Sequence, residues 1–193
     1  MTAKNLTLLF AILLLQLNGN TQEFHPADYI KIMPEPARVY KVCEPSDSFL
    51  LSSMSLPVQL VVSEKTKILV SLMYRTVTDS LSAGVGIAAP QIGVSQRVIL
   101  VQRFDKPNQP FEAYINPEII QYSQLQAKRQ EGCLSIDDVR LEVERPYAVL
   151  LSYFTVKGEH RMEMVEDFTA RIFQHEIDHL NGILFPQRVF QKE

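Results

Sequence analysis

The feature that most constrains this chain is Gln174-His175-Glu176-Ile177-Asp178-His179, an HExxH run. Two histidines four apart on a helix project from one face, close enough to grip a single metal ion. The glutamate between them stands where it can take a proton from an attacking water. The run points to metal-assisted hydrolysis. Which residue supplies the third ligand then separates the enzyme classes.

Downstream residues supply it poorly. Metzincins extend the run as HExxHxxGxxH; Gly182 fills the glycine position, but Phe185 stands where the third histidine belongs. Of the fourteen residues after His179, Glu193 is the sole carboxylate, so a later glutamate ligand is poorly served too. Upstream, the outstanding candidate is Cys133, within Glu131-Gly132-Cys133-Leu134-Ser135. A thiolate suits Fe²⁺, Zn²⁺ or Ni²⁺, and one Cys with two His leaves a fourth position open.

With Gly84-Val85-Gly86-Ile87-Ala88-Ala89-Pro90-Gln91, these make three blocks in one order. Together they resemble the peptide deformylase family over roughly residues 37 to 190. The resemblance implies hydrolysis of the formyl group from N-formylmethionyl peptides or nascent chains, with formate released. It implies one divalent metal ion, Fe²⁺ foremost, with Zn²⁺, Ni²⁺ or Co²⁺ able to use the same ligands: Cys133, His175 and His179. Glu176 would be the general base, returning its proton to the leaving amine. The Gln91 amide and the Leu134 backbone N–H would donate to the developing oxyanion. Gly84 and Gly86 would let the backbone approach substrate closely. Val85, Phe168 and Ile172 would line an apolar methionine pocket, with Arg171 at its edge. Glu131 is expected among the substrate-facing residues at the pocket wall, bonding neighbouring backbone or the Gln91 region. Arg140 and Arg145 align with family arginines, and Arg140 either anchors peptide or braces the fold. Two rival readings are a zinc metallopeptidase and an exported homologue that binds metal without turnover.

The fold class expected is α+β, with mostly antiparallel strands packed around a central HExxH helix. Prolines break up residues 34 to 57, which read as extended loop. Ser63 caps a helix running to about Ser80. Strands are expected at Arg97 to Gln102, Ala113 to Asn116, Tyr147 to Phe154 and Arg161 to Val165. Asp167 is expected to cap the HExxH helix and Gly182 to end it. A net charge of −3 announces no nucleic-acid face. Two cysteines make a disulfide framework unexpected, and Cys43 reads as a small buried hydrophobe. His25 and His160 read as solvated, and Asp178 as either a contact behind a metal ligand or part of a solvated helix face.

The leader differs from the rest. Lys4 precedes an apolar run from Leu6 to Leu17, interrupted only by Thr7 and Gln16. It is short for a membrane span and fits a secretory signal or anchor. The expected organisation is therefore a leader at 1–22, a linker at 23–36 and one catalytic domain at 37–193, exported or membrane-associated through the leader. A misassigned start near Met33 would instead leave the protein cytoplasmic. Only eight residues follow Phe185, so ribosome docking through a basic C-terminal helix is not expected.

Overall fold

A computed structural model describes residues 35–190, and the expectations placed on the leader, His25 and Met33 lie outside the described residues. The elements in chain order are α1 (Pro45–Leu51), α2 (Glu64–Val77), β1 (Gly86–Ala88), a 3₁₀ turn (Ala89–Ile92), β2 (Val98–Gln102) and β3 (Phe111–Tyr122). Then follow β4 (Gln126–Cys133), β5 (Ile136–Pro146), β6 (Ala148–Phe154), β7 (His160–Glu166), α3 (Asp167–Leu180) and α4 (Phe185–Phe190). A five-stranded antiparallel sheet runs β1-β2-β3-β6-β7, and β4 with β5 forms a separate two-stranded ribbon. The α+β expectation holds.

The sheet is a divider with a core on each side. Along β2 the side chains alternate, so Ile99 and Val101 face one way and Val98 and Leu100 the other. Ile99 and Val101 join Ala170, Ile172, Phe173, Ile177 and Leu180 of α3. Val98 and Leu100 join Val70, Met73 and Val77 of α2. A strand covered on both faces reads as one unbroken apolar run, which is what Val98-Ile99-Leu100-Val101 is. The HExxH helix is thereby clamped to the sheet, with eleven of its fourteen residues buried.

Several boundaries correct the sequence reading. Ser63 does cap α2, its side chain accepting from Thr66 N–H at 3.1 Å, but the helix ends at Val77. The strand expected to stop at Asn116 continues to Tyr122, because a bulge absorbs Pro117 while Asn116 takes φ 51°. Asn116 bonds both Val58 N–H and Val58 C=O through its side chain. Asp167 does not cap α3: it has φ 55° and pairs with Arg129 at 2.6 Å, while Glu166 takes the N-cap position without a side-chain bond. Gly182 at φ 70° does follow the helix end, and an added Cβ there would stand 2.5 Å from Ser52 O. Residues 45–51, expected as loop, form α1, opened by Pro45 at its first turn. Cys43 is exposed rather than buried, and His160 is exposed as expected. Among the described residues no helix is long and apolar enough to cross a membrane.

Candidate metal centre and active-site cleft

Three elements converge on one point. Helix α3 supplies His175 and His179 one turn apart. The β4–β5 ribbon supplies Cys133 at the end of β4, just before its two-residue loop Leu134-Ser135. The donor atoms of Cys133, His175 and His179 all lie within 4.8 Å of one another. Cys133 Sγ stands 3.2 Å from His179 Nε2. His175 Nδ1 is 3.0 Å from Glu131 Oε2, which leaves its Nε2 as the nitrogen available to an ion. Burial opposes ionisation of the Cys133 thiol, yet His179 and His175 hold it well below the usual thiol range. A soft sulfur and two imidazoles form a donor set that suits one divalent transition ion.

Glu176 faces the same space from α3. It is buried, its Oε2 has no hydrogen-bond partner, and burial pushes its carboxyl up to about 7. A buried carboxylate oxygen with nothing to bond is uncommon and marks a place where something else belongs. The 3₁₀ turn supplies Gln91. Its Oε1 accepts from Ala88 N–H at 2.8 Å, which fixes the amide, and its Nε2 points at Ser135 Oγ (3.3 Å) and Cys133 Sγ (3.6 Å). The donor end of the amide therefore faces the centre.

Every expected site residue except the fully enclosed His179 lines one cleft of about 1330 Å³, including Gly84, Val85, Leu134, Arg140, Phe168 and Ile172. Two expectations change. Glu131 was placed against backbone, Gln91 or substrate; instead its carboxylate is taken by Arg145 (2.7 and 2.9 Å), Arg171 (2.5 Å) and His175. Gly86 is small for a nearer reason than substrate approach. A Cβ there would meet Glu176 Oε1 at 2.6 Å and Ile172 Cγ2 at 2.8 Å.

Residues whose partners the sequence did not announce build the back of the site. Arg171 lines the cleft as expected, yet it is buried and bonds Glu131, Val143 O and Ala127 O. Asp178 is no solvated face: it is buried and salt-bridged to Arg145 and Arg188. Phe104 packs edge-on against Phe168, with centroids 5.1 Å apart. An arginine in a strand and an aspartate inside HExxH carry no local sign of partnership, since their contacts span 33 residues of sequence.

Residues 39–193 match the family model for polypeptide deformylases. The chain belongs to the peptide deformylase family. A deformylase of Prochlorococcus marinus (strain NATL2A) is 34% identical over 182 residues, covering 92% of this chain and 87% of the relative. That of Desulforudis audaxviator is 48% identical over 107 residues, 55% of this chain and 68% of the relative. The class I type b peptide deformylase of Acinetobacter baumannii, solved with Met-Ala-Ser bound, superposes with a TM-score of 0.71 at 38% identity, covering 80% of this chain and 98% of that one. The Thermotoga maritima deformylase superposes with a TM-score of 0.71 at 34% identity, over 80% of this chain and 97% of that one. The deformylase fold thus spans the sheet, the ribbon and the HExxH helix described above.

Proposed function

We propose that this chain hydrolyses the formyl group from N-formylmethionyl peptides, with Cys133, His175 and His179 holding one divalent ion, Fe²⁺ foremost. The observation that carries this reading is the convergence of those three donors with the unpartnered Glu176 carboxylate and the fixed Gln91 amide. When bound, such an ion supplies Lewis-acid polarisation of the formyl oxygen and activation of water. Glu176 Oε2 takes the proton from the attacking water and passes it to the departing amine. Gln91 Nε2 and the Leu134 N–H donate to the oxygen that becomes negative. Val85, Phe168 and Ile172 offer the apolar wall a methionine side chain needs, and Arg140 stands at the cleft for the peptide beyond it.

Support for the peptide end of this reading comes from the Acinetobacter baumannii deformylase, which has been solved with Met-Ala-Ser and with actinonin. The test compares formyl-Met-Ala-Ser with its acetylated and unblocked forms. Turnover of the formyl peptide alone supports the assignment, while cleavage of internal peptide bonds would favour a metallopeptidase. Glu176→Ala should keep its metal, by elemental analysis, yet lose roughly 10²–10⁴-fold in turnover. A Cys133→Ala protein with a full metal complement would remove Cys133 from the ligand set. For location, the reading is that the apolar run Leu6 to Leu17 directs export or anchoring. Fractionation of cells making the full-length tagged protein checks it, and uncleaved protein found wholly in the cytosol would overturn it.

A further inference from the structure

The segment Arg38–Val42 runs along the wall of the cleft, with Arg38, Val39 and Lys41 lining it, and is tied to both loops that face the metal centre. Tyr40 N–H donates to Gln91 O at 2.8 Å, and Val42 N–H donates to Ser135 O at 3.0 Å. Between them, Lys41 carries its ammonium to Leu134 O at 2.9 Å and pairs with Asp137 Oδ1 at 2.5 Å. The root of that side chain is fixed too. Lys41 N–H donates to Asp47 Oδ2 at 3.0 Å, and Arg38 grips the Asp47 carboxylate at 2.7 and 2.9 Å.

The Leu134–Ser135 peptide is consequently held at both ends. Its carbonyl accepts from the Lys41 ammonium, and its N–H, on Ser135, donates to Cys133 Sγ at 3.4 Å. Hydrogen bonds in a chain polarise one another: a cation at the amide oxygen makes the amide N–H a stronger donor. A stronger donor draws charge from the sulfur it meets, and partners of this kind tune a ligand's strength and aim. The same anchor fixes the loop that carries the Leu134 N–H. Asp137 works against it, since its carboxylate neutralises part of the ammonium charge.

We propose that Lys41 is a positioning residue of the metal centre, acting on the Cys133 sulfur through the Leu134–Ser135 peptide, with Asp137 moderating its effect. The proposal rests on Cys133 being a metal ligand. Neither Lys41 nor Asp137 touches the expected ligand atoms, so both can be changed without altering the donor set.

The test loads the full chain with Co²⁺, whose thiolate charge-transfer absorption reports the charge on sulfur, and pairs the spectrum with kcat and KM. Lys41→Met should move the band to lower energy and lower kcat roughly 10-fold at unchanged KM. Lys41→Arg, which restores a cationic donor, should return both toward the parent. Asp137→Asn should move the band the opposite way from Lys41→Met. The proposal is overturned by a band that stays put in Lys41→Met, by shifts of the same sign in Lys41→Met and Asp137→Asn, or by Lys41→Arg behaving as Lys41→Met. Should Lys41→Met fail to fold, an unmoved band in Asp137→Asn overturns it alone. A parent protein with no thiolate band would sink the Cys133 assignment itself, a different failure from a parent band that the variants leave in place.

Discussion

Two buried arginines in this molecule solve the same problem in opposite ways. Arg145, on β5 beneath the metal centre, is 4% exposed and meets Glu131 and Asp178, themselves only 5% and 7% exposed. Arg103, just past β2, is 1% exposed and meets Asp105, Glu112 and Glu163, which are 34%, 33% and 25% exposed. Both guanidiniums lose water on folding, and both recover it as charge-assisted bonds. Around Arg145, however, the carboxylates are sealed as well. The Arg145 cluster stands or falls as a closed unit, whereas the carboxylates of Arg103 keep access to solvent. The closed cluster ends on a candidate ligand, through Glu131 to His175, and the open one ends on the Tyr114 and Tyr153 hydroxyls. Sealing both partners holds an orientation; leaving one side wet only neutralises a charge.

That contrast makes Arg145→Met the most damaging of the changes considered. It leaves Glu131 with only Arg171 and His175, and Asp178 with only Arg188, two carboxylates that stay inside the protein. A broken buried pair costs about 3–5 kcal/mol. Misorienting His175 should lower metal affinity or activity by roughly 10–100-fold. Urea denaturation and elemental analysis on the same preparations check both parts. A loss no greater than that of the Arg103 variant would break the comparison.

How far the sequence announced these regions follows from the range of the contacts. His175, Glu176 and His179 were legible because a helix sets their spacing, so five residues of sequence contain the geometry. Cys133 was legible by elimination among possible ligands. β2 showed itself as an apolar run, and β5 carries the alternation Val139, Leu141, Val143, but β4 has no such signal. Gln126-Ala127-Lys128-Arg129-Gln130 has no apolar alternation, because the ribbon buries few side chains beyond Glu131, Val143 and Arg145. The role of Glu131 was misread for a related reason. Its partners lie 14, 40 and 44 residues away, and only the packing of α3 on the ribbon brings them together. Gly86 was noticed, yet the atom it makes room for belongs to Glu176, ninety residues on.

Arg103→Met is expected to cost less, because the three carboxylates it leaves can rehydrate. The Tyr114 hydroxyl, which accepts from Arg103 at 2.7 Å, keeps its own donation to Glu112. The loss of one set of buried bonds should amount to about 1–3 kcal/mol. Turnover on formyl-Met-Ala-Ser should stay at the parent level, since nothing in this cluster touches the candidate ligands. A fall in kcat comparable with that of Arg145→Met would show that the open cluster also shapes the site.

The smallest expected effect isolates one carboxylate of the open cluster. The hydrogen bonds from Arg103 hold Asp105 down to about 2, against the opposing push of partial burial. A carboxyl whose folded value is depressed contributes stability above its unfolded value, near about 3.9, and loses it as pH falls through the folded value. The contribution of Asp105 is thus complete above about pH 4 and fades between about pH 4 and 2. Asp105→Asn removes this titration while keeping a similar shape. The stability difference between parent and variant should be constant from neutral pH to about 4, then shrink toward pH 2. With a third of the side chain exposed, solvent screening limits that difference to about 1 kcal/mol or less. Urea midpoints measured for both proteins at half-unit steps of pH read it directly, and taking the difference cancels the acid sensitivity of the metal centre. A difference several times larger would mean that Asp105 is sealed as tightly as Asp178, and the contrast between the two clusters would be lost. One that grew toward low pH would mean that Arg103 does not hold the carboxyl down.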